Sequence, residues 1–221
     1  KSDTAIGLSL VKWYLDYALA SDATTWSMEQ VAAPAVLKLL ETYRRKPQYR
    51  NKIAYDAFWF QKLGVPQKRR RVLAGTPALI ERLKRAKPTY SSAARVIAKP
   101  RGTHVRNGAR WSHPYVNGKP TTYYTDDDMC LPITGPVYTV MANSSLKWAT
   151  PHTGTPLARL SAEEASALQT FPKGYQHFGP HKRAMIGVGN AVPCLVMEKL
   201  IGDPARPVSP SLRWRPPVAA R

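Results

Sequence analysis

Cysteine is scarce: the 221 residues hold only Cys130 and Cys194, far apart and outside any CxxC pair. That excludes a disulfide framework and a thiolate zinc site, and it fits a reducing compartment. Acidic residues are also few, 14 against 33 lysines and arginines, which leaves a formal charge of +19. Long apolar runs are missing. None approaches the roughly 18 to 20 residues of a membrane helix, so neither a span nor a membrane partner is predicted. The opening Lys1-Ser2-Asp3-Thr4 has no Met and no apolar core of a signal peptide, which predicts no export address and a cut or missing N-terminus.

What is present is an ordinary apolar fraction, 43%, and a length that suits one domain or one domain with an inserted subdomain. The basic residues are unevenly spread. Of the 33, 20 lie between Arg44 and Lys119, where the only acidic residues are Asp56 and Glu81. Balanced surfaces are usual in soluble domains, so this block predicts a polyanion-binding surface, nucleic acid first and a merely solvated basic face second.

Periodicity predicts the elements. Ile6 to Ala20 carries apolar residues at helical spacing, and Thr24 to Met28 is a short strand candidate. Pro34 suits the first turn of a helix through about Tyr43. Ile53 to Phe60 and Arg71 to Ala74 read as the two arms of an antiparallel hairpin around the Gly64-Val65-Pro66 turn. From Lys87 to Thr155 the helical period disappears, which predicts an irregular, partly β insertion. Ser161-Ala162-Glu163-Glu164 is a capping box opening a helix through Leu168, and a last helix is predicted from about Pro193 to Ile201. The Pro/Arg-rich end from Pro204 to Arg221 reads as a loose strap or a disordered tail.

Three segments carry candidate chemistry. The first is Trp26-Ser27-Met28-Glu29-Gln30-Val31; taken alone, Glu29 reads first as a helix N-terminal carboxylate favoured by the dipole. The second is Gly64-Val65-Pro66-Gln67-Lys68-Arg69-Arg70-Arg71-Val72, where strand alternation would put Gln67, Arg69 and Arg71 on one face and Arg70 on the other. The third runs from Arg159-Leu160-Ser161 through Leu168-Gln169-Thr170-Phe171-Pro172 to Gly189-Asn190-Ala191-Val192-Pro193.

In this order and spacing, the three segments resemble the later motifs of the DNA cytosine-5 methyltransferases: the Glu-Asn-Val motif, with Gln30 in place of Asn, the Gln-x-Arg-x-Arg motif, and the two closing motifs. Pro136-Val137-Tyr138-Thr139-Val140 is similar to the strand that often precedes the closing motifs. The resemblance covers roughly Trp26 to Ile201. It implies an α/β fold, part of a Rossmann-like methyltransferase catalytic domain with an inserted, partly β target-recognition subdomain. The implied divisions are 1–75 for the catalytic part, 76–157 for the DNA-reading subdomain, 158–203 for the closing motifs returning to the catalytic domain, and 204–221 for the tail.

The resemblance also implies roles. Glu29 would contact the N3 and amino edge of a flipped cytosine, which requires a carboxyl of raised pKa. Arg71 would hold the cytosine O2, and Arg69 would help anchor the base or its phosphate. Asn190 and Ala191 would border the cofactor, S-adenosyl-L-methionine. Gln67, Arg101, Arg106 and Arg110 are the expected contacts to double-stranded DNA, most of them to phosphate. In the implied reaction a cysteine adds at C6 of the flipped base, methyl passes to C5, and the C5 proton is eliminated.

The family's nucleophilic Pro-Cys dipeptide and its methyl-donor loop are expected before Lys1, in an N-terminal half or a partner subunit. Pro193-Cys194 lies inside the closing motif, so Cys194 reads as a small buried residue. Three accounts stay open: an incomplete N-terminus, a two-subunit enzyme, and a non-catalytic DNA-binding relative. A cytosine-5 RNA methyltransferase of the same fold is a further alternative. The implied setting is the cytoplasm of a prokaryotic or phage-infected cell, on DNA, with restriction-modification as context.

Overall fold

The computed structural model describes residues 2–106, 115–116, 119–120, 130–142, 146–149, 156–177 and 179–202. The chain starts with helix α1 (Ser2–Ala20), strand β1 (Ser27–Val31) and helix α2 (Pro34–Arg44). Strands β2 (Ala54–Trp59) and β3 (Arg70–Gly75) and helix α3 (Pro77–Arg85) follow. The three strands form one antiparallel sheet in the order β1-β3-β2, so β3 is central and β1 is an edge.

Central β3 reads Arg-Arg-Val-Leu-Ala-Gly, and its alternation feeds two cores at once. Val72 and Ala74 pack with Val11, Leu15, Leu19, Val36, Leu40 and Tyr43 under α1 and α2. Leu73 points the other way, into a cluster with Phe60, Leu79, Ile80, Leu83, Val196 and Leu200. A strand covered on both faces needs an unbroken apolar run rather than a half-polar one. The result is helix, sheet, helix, with Tyr14 of α1 donating from its hydroxyl to the Ser27 carbonyl of β1 at 2.8 Å.

The middle of the chain builds a second unit. Helix α4 (Ala93–Val96) leads to strands β4 (His104–Arg106), β5 (Tyr115–Val116), β6 (Lys119–Pro120), β7 (Cys130–Pro132), β8 (Lys147–Ala149) and β9 (Pro156–Arg159). Four of them form a sheet in the order β7-β4-β8-β9, and β5 pairs with β6. Helices α5 (Ala162–Leu168), α6 (His181–Asn190) and α7 (Cys194–Ile201) close the described chain. The predicted capping box is complete: Ser161 Oγ accepts from Glu164 N at 3.2 Å, and Glu164 Oε2 accepts from Ser161 N at 2.7 Å.

Two of the expected divisions move. Helix α3 lies past the boundary expected at 75, yet its Leu79, Ile80 and Leu83 share a core with β3 and α7. The first unit therefore runs through Arg85. The closing motifs do not all return to it either: Leu160, Ala165 and Leu168 of the α5 region and Met185 and Val188 of α6 pack with Val105, Val137 and Trp148 of the second unit. Only α7 crosses back, through Val196 and Leu200. The 204–221 tail falls outside the described residues.

Residues 181–201 are long and apolar enough on composition to cross a membrane. They form two helices broken at Ala191–Pro193, one buried in each core. The break also corrects a detail of the sequence reading. Gly189 and Asn190 end α6, and Pro193 caps α7 from outside instead of filling its first turn.

Candidate active site

Strand pairing places Glu29 of β1 opposite Leu73, and Val31 opposite Arg71. Glu29 and Arg71 are thus diagonal neighbours on the α3/α7 side of the sheet, a separation long side chains span. Arg71 Nε lies 3.2 Å from Glu29 Oε1, and Arg69 Nη2 lies 3.4 Å from the same oxygen. Glu29 is a strand residue, so the reading of it as a helix N-terminal carboxylate falls away. Its side chain is 12% exposed. Oε2 has no partner among the described residues, and neither has Arg71 Nη2.

Burial pushes the Glu29 carboxyl above its ordinary range, and the charges of Arg69 and Arg71 offset this only in part. Burial likewise lowers the affinity of both guanidinium groups for their protons, though arginine remains charged at any working pH. The site therefore offers a carboxyl that takes up a proton more readily than usual beside a cation that cannot lose one. Such a pair can grip a neutral heterocycle at a basic nitrogen and a neighbouring carbonyl oxygen.

Arg69 does not face this opening. It is 2% exposed and donates from Nη1 to Val140 O at 2.9 Å and to Gly189 O at 3.4 Å. Nη2 reaches Ala191 O at 3.4 Å. A cation at the last carbonyls of α6 is favoured by the helix dipole. Arg69 is a hub that joins Glu29, the second unit and the end of α6, and this corrects its expected role as a base or phosphate anchor.

Gln67 is corrected in the same way. Successive bonds from Gln67 N to Val65 O and from Arg69 N to Gln67 O, both 2.8 Å, pinch the backbone just before β3. Strand alternation cannot run through such tight turns. Gln67 is fully buried, donating to Leu168 O at 2.7 Å and accepting from Val140 N at 2.7 Å. No surface remains for DNA. Its amide also meets Gln169 Oε1 at 3.1 Å, while Gln169 donates to Val188 O at 2.8 Å. Gln67, Arg69 and Gln169 thus form a buried polar junction between the two units.

The remaining expected contacts divide. Arg70 points away from Glu29 and lies over the Trp59 ring, its strand partner, at 6.0 Å. Arg101 is exposed, but its guanidinium binds Glu164 at 2.7 and 3.0 Å and Arg159 O at 2.7 Å. Arg106 sits in β4 between Cys130 and Lys147. Arg110 falls outside the described residues. Cys194 is half-buried rather than buried, and burial raises its thiol pKa, which suits a packing residue and not a nucleophile.

Asn190 is exposed at the end of α6, between Gly189 and Ala191, whose carbonyls both bind Arg69. Sequence reasoning missed why Gly189 is required there: a Cβ would lie 2.1 Å from Ala142 N and from Met141 C. The Gly-Asn-Ala-Val-Pro match was the available signal, but it does not disclose the chain crossing at 141–142.

No family model matches the sequence, and no curated protein matches it. Among solved structures, the chain is similar to the crystal structure of S. pombe Dnmt2 methyltransferase, with a TM-score of 0.50 at 11% identity over 82% of this chain. The fold is methyltransferase-like. The match covers 66% of that structure's chain, just under two thirds of its length. At this identity the likeness concerns the fold, and it agrees with the α/β architecture implied by the motifs.

Proposed function

We propose that this chain is the base-holding and closing part of an S-adenosyl-L-methionine-dependent cytosine-5 methyltransferase acting on double-stranded DNA. The observation that carries the reading is the convergence of Arg71 Nε and Arg69 Nη2, at 3.2 and 3.4 Å, on one oxygen of a buried carboxyl. Glu29 Oε2 is left to hold a proton against N3 of a flipped cytosine, draining electrons from the ring and opening C6 to attack. Arg71 Nη2 is left to donate to the cytosine O2. Arg69 touches neither; it is a positioning residue that fixes Glu29 relative to Asn190.

Asn190 fits one border of a methyl-donor pocket. Asn190 is exposed, its carboxamide offers both a donor and an acceptor, and the carbonyls on either side of it bind Arg69, which touches Glu29. S-adenosyl-L-methionine, when bound, supplies an electrophilic methyl group. Asn190 and the Ala191 backbone would bind and orient its polar part.

The nucleophile and the rest of that pocket belong, on this reading, to a partner segment, and the exposed face of α1 supports a place for it to dock. Helix α1 buries Val11, Leu15, Ala18 and Leu19 on one side but leaves Leu10, Trp13 and Tyr17 62 to 65% exposed on another. Trp13 and Tyr17 stack at 5.9 Å. A helix apolar on two faces is an interior helix. The Tyr14 hydroxyl bond ties α1 to the edge strand whose other side carries Glu29.

The test is reconstitution with the segment bearing the Pro-Cys dipeptide, using a radiolabelled methyl donor. Transfer to a cytosine-containing duplex is expected, abolished by Glu29→Gln, with transfer RNA as competitor to separate DNA from RNA substrates. No transfer to any cytosine-rich duplex refutes the reading.

A further inference from the structure

A second concave site lies far along the chain from Glu29, between residues 96–99 at the end of α4 and the turn 170–177 after α5. It is a cavity of about 790 Å³, within the range of small-molecule sites. Its walls are mainly apolar and include Ala167, the buried Ile97 and the rings of Phe171, Tyr175 and His177. Phe171 and Tyr175 meet edge to face at 4.7 Å, and Tyr175 and His177 at 5.2 Å. Tyr175 is nonetheless 50% exposed, so much of its ring is left for something else.

The turn is held in place. Thr170 adopts a left-handed backbone conformation at φ 57°, and its hydroxyl accepts from Leu195 N at 3.0 Å. The His177 ring is pinned by Ser166 Oγ at 2.7 Å, and Ser166 is itself buried. A non-glycine residue in this conformation persists only where its surroundings over-determine it. The rings are thus presented by a fixed turn.

Charge at the rim favours an anion. Lys99 and Lys173 line the cavity, and neither has an acidic partner among the described residues. Of the two lining carboxylates, Glu164 pairs with Arg101 at 2.7 Å, while Glu163, held below its ordinary range by its own backbone amide and the Ser161 hydroxyl, stays ionised, which leaves one unpaired carboxylate against two lysines.

We propose that this cleft takes a nucleotide, its planar base laid against Tyr175 and Phe171 and its phosphate directed at Lys99 and Lys173. Every base has a face that stacks on an aromatic ring, so such a site holds a strand without reading its sequence. The proposal is independent of methyl transfer, and it gives the basic chain a second hold on nucleic acid outside the Glu29 site.

The experiment measures binding of a single-stranded oligonucleotide carrying one 2-aminopurine, and separately of adenosine monophosphate, to the full chain. Stacking is expected to quench the 2-aminopurine emission. Tyr175→Ala is expected to weaken oligonucleotide binding about tenfold and remove the quench, while Tyr175→Phe retains both. Lys173→Glu is expected to weaken binding more than Lys38→Glu, an equal charge change on exposed α2. Mononucleotide binding that depends on Tyr175 assigns the cleft to free nucleotides, and oligonucleotide binding alone assigns it to a strand. The proposal is overturned if neither probe binds, or if Tyr175→Ala and Lys173→Glu behave like the Lys38→Glu control.

Discussion

Arg69→Met separates the two roles open to this arginine. The change keeps an unbranched apolar stem but removes donors to Val140 O at 2.9 Å, Gly189 O at 3.4 Å, Ala191 O at 3.4 Å and Glu29 Oε1 at 3.4 Å. Only the first is short, and the others count for little individually. Loss of one good charge-assisted bond costs about 1.5–3 kcal/mol. Breaking a buried ion pair costs about 3–5 kcal/mol when a charge is left behind. Here Arg71 remains beside the Glu29 carboxyl, and burial already favours the protonated form of that carboxyl, so the second cost is reduced. The expected total is about 3 kcal/mol at neutral pH. Urea unfolding of the single variants and of Arg69→Met with Glu29→Gln measures it. In the Gln background the cost is expected to fall by about 1 kcal/mol, as for residues in contact. If the variant loses less than about 1 kcal/mol but binds cytosine-bearing duplex much more weakly, Arg69 is a base contact and the hub reasoning is wrong.

Three further outcomes follow from other contacts. Because burial raises the folded-state pKa of Glu29 above its ordinary 4.5, the stability it contributes is fully present below that value and is lost as pH rises through the raised one. The melting temperature of Glu29→Gln relative to the parent is therefore expected to climb across that window, and a difference that stays flat or falls with pH contradicts the burial argument. Gly189→Ala drives a Cβ to 2.1 Å from the 141–142 backbone, a clash expected to cost roughly 3 kcal/mol or more; a normal melting curve would show that the 141–142 backbone yields to the added methyl. Trp13→Ser with Tyr17→Ser changes exposed side chains only, so the chain's own stability is expected to move by less than about 1 kcal/mol while reconstituted methyl transfer fails. Undiminished transfer would mean that this face is not the docking surface.

The legible parts of the fold were those set by local pattern. The spacing of Val11, Leu15 and Leu19, Pro34 at the start of α2, and the Ser161/Glu164 pair each settle an element within the chain segment that carries them. Helix α6 was missed because His181-Lys182-Arg183 followed by Gly187 and Gly189 gives it a weak helical signature; its apolar side shows only against the second unit's core. The site was half legible for a related reason. Glu29 and Arg71 meet through strand register, which alternation anticipates. Gln67 and Arg69 do not, because two tight backbone turns before β3 break the alternation where it was extrapolated.

That break explains how the segment works. Three consecutive odd positions on a regular strand would all face the ligand, and three polar groups on one opening would leave the junction between units without a polar partner. By pinching the chain, the protein turns Gln67 and Arg69 inward, where they meet main-chain groups of Val140, Leu168, Gly189 and Ala191 that need polar partners when buried. Arg71 alone stays outside with Glu29. The two units are thus locked through the residues next to the site, so a shift of the second unit on the first must move Arg69, and with it the carboxyl that Arg69 touches. Precision at Glu29 is inherited from the junction, which is why a buried arginine that contacts no ligand is expected to matter as much to activity as the residue that does.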